Sequence, residues 1–397
     1  MTNYHIGFSC LVCGTEHAAD YDGYVCKECE GKLDADYDYH AMSDEFSVDS
    51  LKSNPDRTVW RYAPAFPFSD VANVPRLFMG ITPIYRNRDL EAKTGVNEVY
   101  LKDDSRLPSA SFKDRASSVV MTVAIEKGID KVACASTGNA GCSWACMGAA
   151  CGMPVIIFVP ASAPKAKIAQ LGVYGADVRQ VDGTYDDAFQ LCAEECEEHG
   201  YFNRNTGFNP FTREGKKSVS FEIWEQLGFK APGSVFVPVG DGNIISGVWK
   251  GFRDLKQLGL IEELPAIYAV QSDASAAIAR TIRKIQSGDG DADNIQLETV
   301  SANTRADSIA VDSPSDGVAA VKAVIETGGD AVTVSDDDIL DTIPELASST
   351  GIFAEPAGVT SITGLKAHSD SDAEIPGPAV CLVTGNGLKD VEAVLER

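Results

Sequence analysis

Positive charge is scarce in this 397-residue chain: 34 Lys and Arg stand against 58 Asp and Glu, a formal net charge of -24. A field of that sign repels phosphate backbones, which excludes a nucleic-acid-binding module. Long apolar runs are missing too, and none approaches the ~20 residues of a membrane span. The first residues are polar and lead straight into cysteines, without the pattern of a signal peptide, so a soluble cytoplasmic protein is expected. Only five histidines occur, in neither metal-ligand nor triad spacing, and there is no internal repeat or low-complexity tract. Gly240, Gly242 and Gly247 do not complete a dinucleotide fingerprint at the required spacing.

Cysteine is not among the shortages. Eleven are present, an odd number that fits a reducing compartment. Cys10 and Cys13, then Cys26 and Cys29, form two C-x2-C knuckles separated by 12 residues, with Gly14 and Gly31 placed for tight turns. Four thiolates at this spacing can close a tetrahedral zinc site, leaving no open position for chemistry, so a structural zinc is the expectation. Paired disulfides or free thiols are the alternatives. Cys142, Cys146 and Cys151 recur at helical spacing and read as small core residues. The acidic stretches 289–293 and 336–338 read as solvated surface.

Apolar runs at 154–159, 235–239, 267–270 and 379–383 read as buried strands with amphipathic stretches between them. Such alternation predicts an α/β architecture of open sheets with ligand sites at the strand ends. Residues 41–75, with Pro55, Pro64, Pro67 and Pro75, read as an extended linker over the core surface. The expected division is a zinc-ribbon-like segment at 1–40, a large lobe from 41–116 and 223–397, and a smaller inserted lobe at 117–222.

The chemistry-bearing segments come in chain order. Ser111-Phe112-Lys113-Asp114-Arg115 sets a lysine at the start of a predicted helix, where the positive end of the helix dipole disfavours the ammonium and frees the amine for a Schiff base with an aldehyde. Taken alone, the same residues also describe a solvated helix face. Ser136-Thr137-Gly138-Asn139-Ala140-Gly141 follows an apolar run and precedes a small-residue helix, a strand, turn and helix. Gly240, Asp241, Gly242, Asn243 and Ile244 follow the strand at 235–239, where glycines let backbone N–H groups approach a phosphate. Thr384-Gly385-Asn386-Gly387-Leu388-Lys389-Asp390 closes the series after another strand.

Together, over nearly the whole length, these segments resemble the threonine synthase family, within the fold type II group of pyridoxal phosphate enzymes. The resemblance implies a tryptophan synthase β-like fold of two lobes with open α/β sheets, preceded by a small zinc-ribbon-like segment as in some members. It implies that Lys113 carries pyridoxal 5'-phosphate, that Asn139 contacts the ring oxygen, and that Gly240, Asp241, Gly242, Asn243 and Ile244 hold the cofactor phosphate. Thr384 would bond the pyridine nitrogen, a neutral hydroxyl leaving that nitrogen largely unprotonated. Phe112 and Arg213 are assigned to the substrate by the same resemblance. The implied activity is a carbon–oxygen lyase acting on a phosphate ester: O-phospho-L-homoserine and water become L-threonine and phosphate, with Lys113 as proton shuttle. A serine/threonine dehydratase or a cysteine synthase-like β-replacing enzyme is the alternative. The expected partner is a phosphorylated amino acid, with no nucleic acid and no membrane, and a homodimer is a candidate assembly.

Three segments depart from the family pattern. Leu107, Ser109 and Ala110 replace Asn, Thr and Gly of Asn-Pro-Thr-Gly-Ser-Phe-Lys. Asp241, Asn243 and Ile244 alter the phosphate loop, which is usually Gly-Asn-x-Gly-Asn; a carboxylate beside a phosphate is unfavourable unless it points away. Asn-Pro-x-Arg-x-Glu-Gly becomes Asn209-Pro210-Phe211-Thr212-Arg213-Glu214-Gly215, with the arginine one position later, a turn of ~100° on a helix.

Overall fold

The computed structural model describes residues 2–163, 165–371 and 373–395. Contacts divide the chain into two units, 1–80 with 107–216 and 81–106 with 217–397. These boundaries differ from the expected lobes: the crossings lie at 106/107 and 216/217, and residues 41–80 group with the ribbon and the 107–216 stretch.

The first unit begins with a three-stranded antiparallel sheet in which His5–Cys10 lies between Glu16–Ala18 and Leu33–Tyr37. Its second sheet is parallel and runs edge to edge as Asp177–Val181, Val155–Pro160, Val132–Ala135 and Phe202–Asn203. Val132–Ala135 is buried at every position, the pattern of a parallel strand covered on both faces. Ala133, Ala135, Ile156 and Phe158 pack there against Ala188, Cys192 and Cys196 of the helix Tyr185–His199. Cys142 and Cys146 are buried as expected of core residues, while Cys151 is half-buried.

Residues 41–75 are not a surface linker. They fold into short helical turns whose Trp60, Tyr62, Phe66 and Phe68 are at most 8% exposed and pack ring against ring. Pro64 lies inside the helical turn Val59–Ala65, and the aromatics around it supply the apolar area that a linker would lack. Arg61 is buried among them because the carbonyls of Leu51 and Asp56 accept from its guanidinium.

The second unit is built on a six-stranded sheet ordered Ala331–Val334, Ala266–Ser272, Ser234–Pro238, Ala379–Val383, Val99–Asp103 and Ile84–Arg86. All pairings are parallel except the last. The run at 99–103 escapes a reading by hydropathy because Lys102 and Asp103 interrupt it; both are fully buried. The Lys102 ammonium meets three acceptors, Glu222 Oε2 at 2.5 Å, Thr82 O at 2.7 Å and Gln226 Oε1 at 2.8 Å, so the charge is satisfied where it is buried. Among the described residues no helix is long and apolar enough to cross a membrane.

Candidate active site

In the first unit Lys113 opens the helix Lys113–Glu126, as its sequence predicts. It is half-buried between residues that are wholly buried, Ser111 and Phe112 before it and Asp114 after it. The loop ahead of it is pinned by Asp114, whose carboxylate accepts from Ser109 N at 2.6 Å and Ser109 Oγ at 2.5 Å. Ala110 holds φ 61°, a left-handed conformation that suits the family's glycine and costs an alanine about 1 kcal/mol. The departure from the family at this position therefore carries a local strain.

Asn139, 7% exposed, opens the helix Asn139–Cys151, which packs against the helix of Lys113. The turn before it follows the C-terminal end of the strand Val132–Ala135, where Ser136 Oγ accepts from Gly138 N. Open α/β sheets bind ligands at these strand ends.

In the second unit the two remaining turns follow neighbouring parallel strands, Ser234–Pro238 and Ala379–Val383. The helix Asn243–Gln257 starts from Gly242, with no side chain capping its first N–H groups. Gly242 holds φ 93°, and a Cβ there would stand 2.7 Å from Asp316 O, so only glycine fits. Asp241 is tied to the neighbouring loop: its Oδ1 accepts from Ser315 N at 2.8 Å, and its carbonyl accepts from Asp316 N. Asp316, which carries no sequence signal, braces the loop by accepting from Asn243 Nδ2 at 2.7 Å and from Ser246 Oγ.

Thr384 is 4% exposed, and its hydroxyl has no hydrogen-bond partner among the described residues. Beside it, a Cβ on Gly385 would meet Glu355 Oε1 at 2.1 Å, so a larger residue there would require the Glu355 carboxylate to move. Each unit offers groups of the kind pyridoxal 5'-phosphate needs: the first a half-buried lysine at a helix start for its aldehyde, the second a helix start at a glycine for its phosphate and a buried hydroxyl at a strand end for its ring nitrogen.

The two residues expected at the substrate both lie in buried surroundings. Arg213 is 2% exposed and donates through Nη1 to Leu33 O at 2.9 Å and Asp34 Oδ1 at 3.0 Å. Its guanidinium thus belongs to the N-terminal sheet, where Tyr37 also donates to Glu214 Oε2 at 2.6 Å. The one-residue shift along the helix Phe211–Lys216 aims it there. Phe112 is fully buried, its ring 5.6 Å from the Arg115 guanidinium.

Cys10, Cys13, Cys26 and Cys29 come together with their Sγ atoms all within 4.8 Å of one another and no disulfide. Individual separations of 3.3, 3.5 and 3.7 Å match the ~3.8 Å edge of a tetrahedron of ~2.3 Å Zn–S bonds. Val12 N, Cys13 N and Glu28 N donate to the sulfurs of Cys10 and Cys26. The Thr15 hydroxyl pulls the Cys13 thiol down to about 6, readying one thiolate. The expected glycine turns hold only in the first knuckle, where Gly14 has φ 73°; in the second, Glu30 takes the left-handed position at φ 58°. Gly31 is needed for space instead, since a Cβ would stand 2.8 Å from Cys10 Sγ.

Comparison with known proteins agrees with this geometry. The family description "Pyridoxal-phosphate dependent enzyme" matches residues 76–385. The chain is similar to a threonine synthase of Methanocaldococcus jannaschii, 37% identical over 97% of this chain and 93% of that protein. It is also similar to a threonine synthase of Methanosarcina acetivorans, 36% identical over 99% and 94%. In three dimensions it resembles threonine deaminase isoform 2 from Solanum lycopersicum, with a TM-score of 0.68 and 23% identity over 88% of this chain and 89% of that one.

Proposed function

From the premise that the chain belongs to the threonine synthases of the pyridoxal-phosphate dependent enzyme family, we propose how its residues convert O-phospho-L-homoserine and water to L-threonine and phosphate. Bound pyridoxal 5'-phosphate supplies an electron sink for the pair left when a proton is taken from the carbon bearing the amino group. The backbone N–H groups of residues 240–244 hold the cofactor phosphate at the uncapped helix start, Asp316 fixing that loop. Asn139 contacts the ring oxygen. Thr384 would offer the ring nitrogen a neutral hydroxyl in place of a charged partner.

Lys113 would hold the cofactor aldehyde and, once freed by the substrate amine, would serve as the base. Its amine takes the α proton, and the same group serves the later transfers at the β and γ carbons as phosphate leaves from the γ carbon and water adds at the β carbon. Asp114 keeps the loop before it closed, so the amine stays on the first turn of its helix.

The observation that carries the reading is Lys113 itself, the half-exposed amine at a helix start among buried neighbours. We also propose that the four N-terminal cysteines hold one structural zinc, supported by the sulfur separations and the absence of disulfides. Incubating the purified holoenzyme with O-phospho-L-homoserine should yield threonine and phosphate in equal amounts. Release of ammonia and a keto acid from serine or threonine, with phosphohomoserine inert, would overturn the reading.

A further inference from the structure

Arg213 Nη1 is engaged by the N-terminal sheet, and the first unit contains a second buried guanidinium. Arg204 is 1% exposed and forms no ion pair with any described carboxylate. Its side chain donates only to hydroxyls: Nη1 to Thr206 Oγ1 at 2.5 Å, Nη2 and Nε to Ser117 Oγ at 3.3 and 3.4 Å. Hydroxyls orient a guanidinium but do not neutralise it, and a buried cation without an anion has lost its hydration without compensation. Burial accordingly pulls the Arg204 guanidinium below its ordinary value.

Its location matches the site already described. Arg204 follows the strand Phe202–Asn203, and its backbone N donates to Ala133 O at 2.9 Å, next to the strand end that leads to Asn139. Ser117 is four residues after Lys113 on one helix, which places the two side chains on one face about 6 Å apart. The guanidinium held on Ser117 is thus anchored one helical turn from Lys113 on that helix.

We propose that Arg204, oriented by Ser117 and Thr206, is the residue that binds the substrate's phosphate and sets specificity for a phosphorylated amino acid. The proposal rests on the reading of Lys113 as the catalytic amine. Guanidinium and phosphate match as a bidentate pair, and the desolvated site strengthens it.

The test uses the holoenzyme and three variants, Arg204→Lys, Arg204→Met and Thr206→Val. Arg204→Met should raise KM for O-phospho-L-homoserine about a hundred-fold, Arg204→Lys about ten-fold and Thr206→Val by less, with the cofactor absorbance unchanged. Inorganic phosphate, read by its effect on cofactor fluorescence, should bind the wild type and lose affinity in the same order. Binding of L-homoserine, which keeps the carboxylate and lacks the phosphate, should not change. A loss of homoserine affinity equal to that for phosphate would assign Arg204 to the carboxylate and overturn the proposal, as would unchanged KM and phosphate affinity. If both Arg204 variants fail to fold, the half-buried Thr206→Val decides, and an unchanged KM there rejects the proposal. Wild-type enzyme that does not turn over phosphohomoserine would defeat the proposed reaction, while the phosphate titration would still report separately on Arg204.

Discussion

Gly215→Ala probes whether the lysine helix is held by close backbone packing. Gly215 lies on the helix Phe211–Lys216, where a Cβ would stand 2.1 Å from Arg115 O and 2.7 Å from Ala116 Cα. Both atoms are backbone in the first turn of the helix that Lys113 opens, so neither can rotate aside. Restoring an ordinary contact requires one helix to retreat by about 1 Å, an overpacking strain of about 3 kcal/mol, offset by about 1 kcal/mol of better helix propensity. The net loss of about 2 kcal/mol should lower the melting temperature by ~4–8 °C. A shift of that size at the amine should reduce kcat by about a hundred-fold. Gly148→Ala is the control. Its Cβ would meet Val155 Cγ2 at the same 2.1 Å, but that atom is a methyl that a rotamer change can move, and its nearest backbone contact is 3.0 Å away. Melting curves and steady-state kinetics on both variants check the difference. A Gly215→Ala enzyme that melts and turns over like wild type, or a Gly148→Ala enzyme equally damaged, would refute the reasoning.

Lys113→Ala should abolish turnover, and borohydride treatment of the wild type should leave the pyridoxyl group on Lys113 in a peptide map; a label on another lysine rejects the assignment. Thr384→Asp replaces a neutral hydroxyl by a carboxylate that would protonate the ring nitrogen, so its absorbance spectrum should shift and side products should rise at the expense of threonine. An unchanged product profile there would remove the hydroxyl's role. Metal analysis should find about one zinc per chain, lost in Cys10→Ser with Cys26→Ser. That double variant should melt earlier, because the strand Leu33–Tyr37 ties Arg213 and Glu214; metal-free wild type with an ordered ribbon would withdraw the zinc.

Local chemistry was legible in the sequence wherever it depends on neighbours a few residues apart. Lys113 at a helix start, the strand, turn and helix around Asn139 and around Gly242, the buried run at 379–383 and the paired cysteine knuckles all follow from apolar runs, glycine placement and spacing. What the sequence could not determine is where buried charges and polar groups find their partners. Arg213 turned to Asp34, 179 residues away, and Asp241 to Ser315, 74 residues away. Arg204 reached Ser117, 87 residues away, and residues 41–75 became aromatic core instead of linker. A side chain of a given charge accepts many partners, and only the order of strands in the sheets and the packing of helices on them bring one within hydrogen-bond distance. Turn and helix formation are short-range consequences of residue type, whereas the pairing of a buried charge is a long-range consequence of topology.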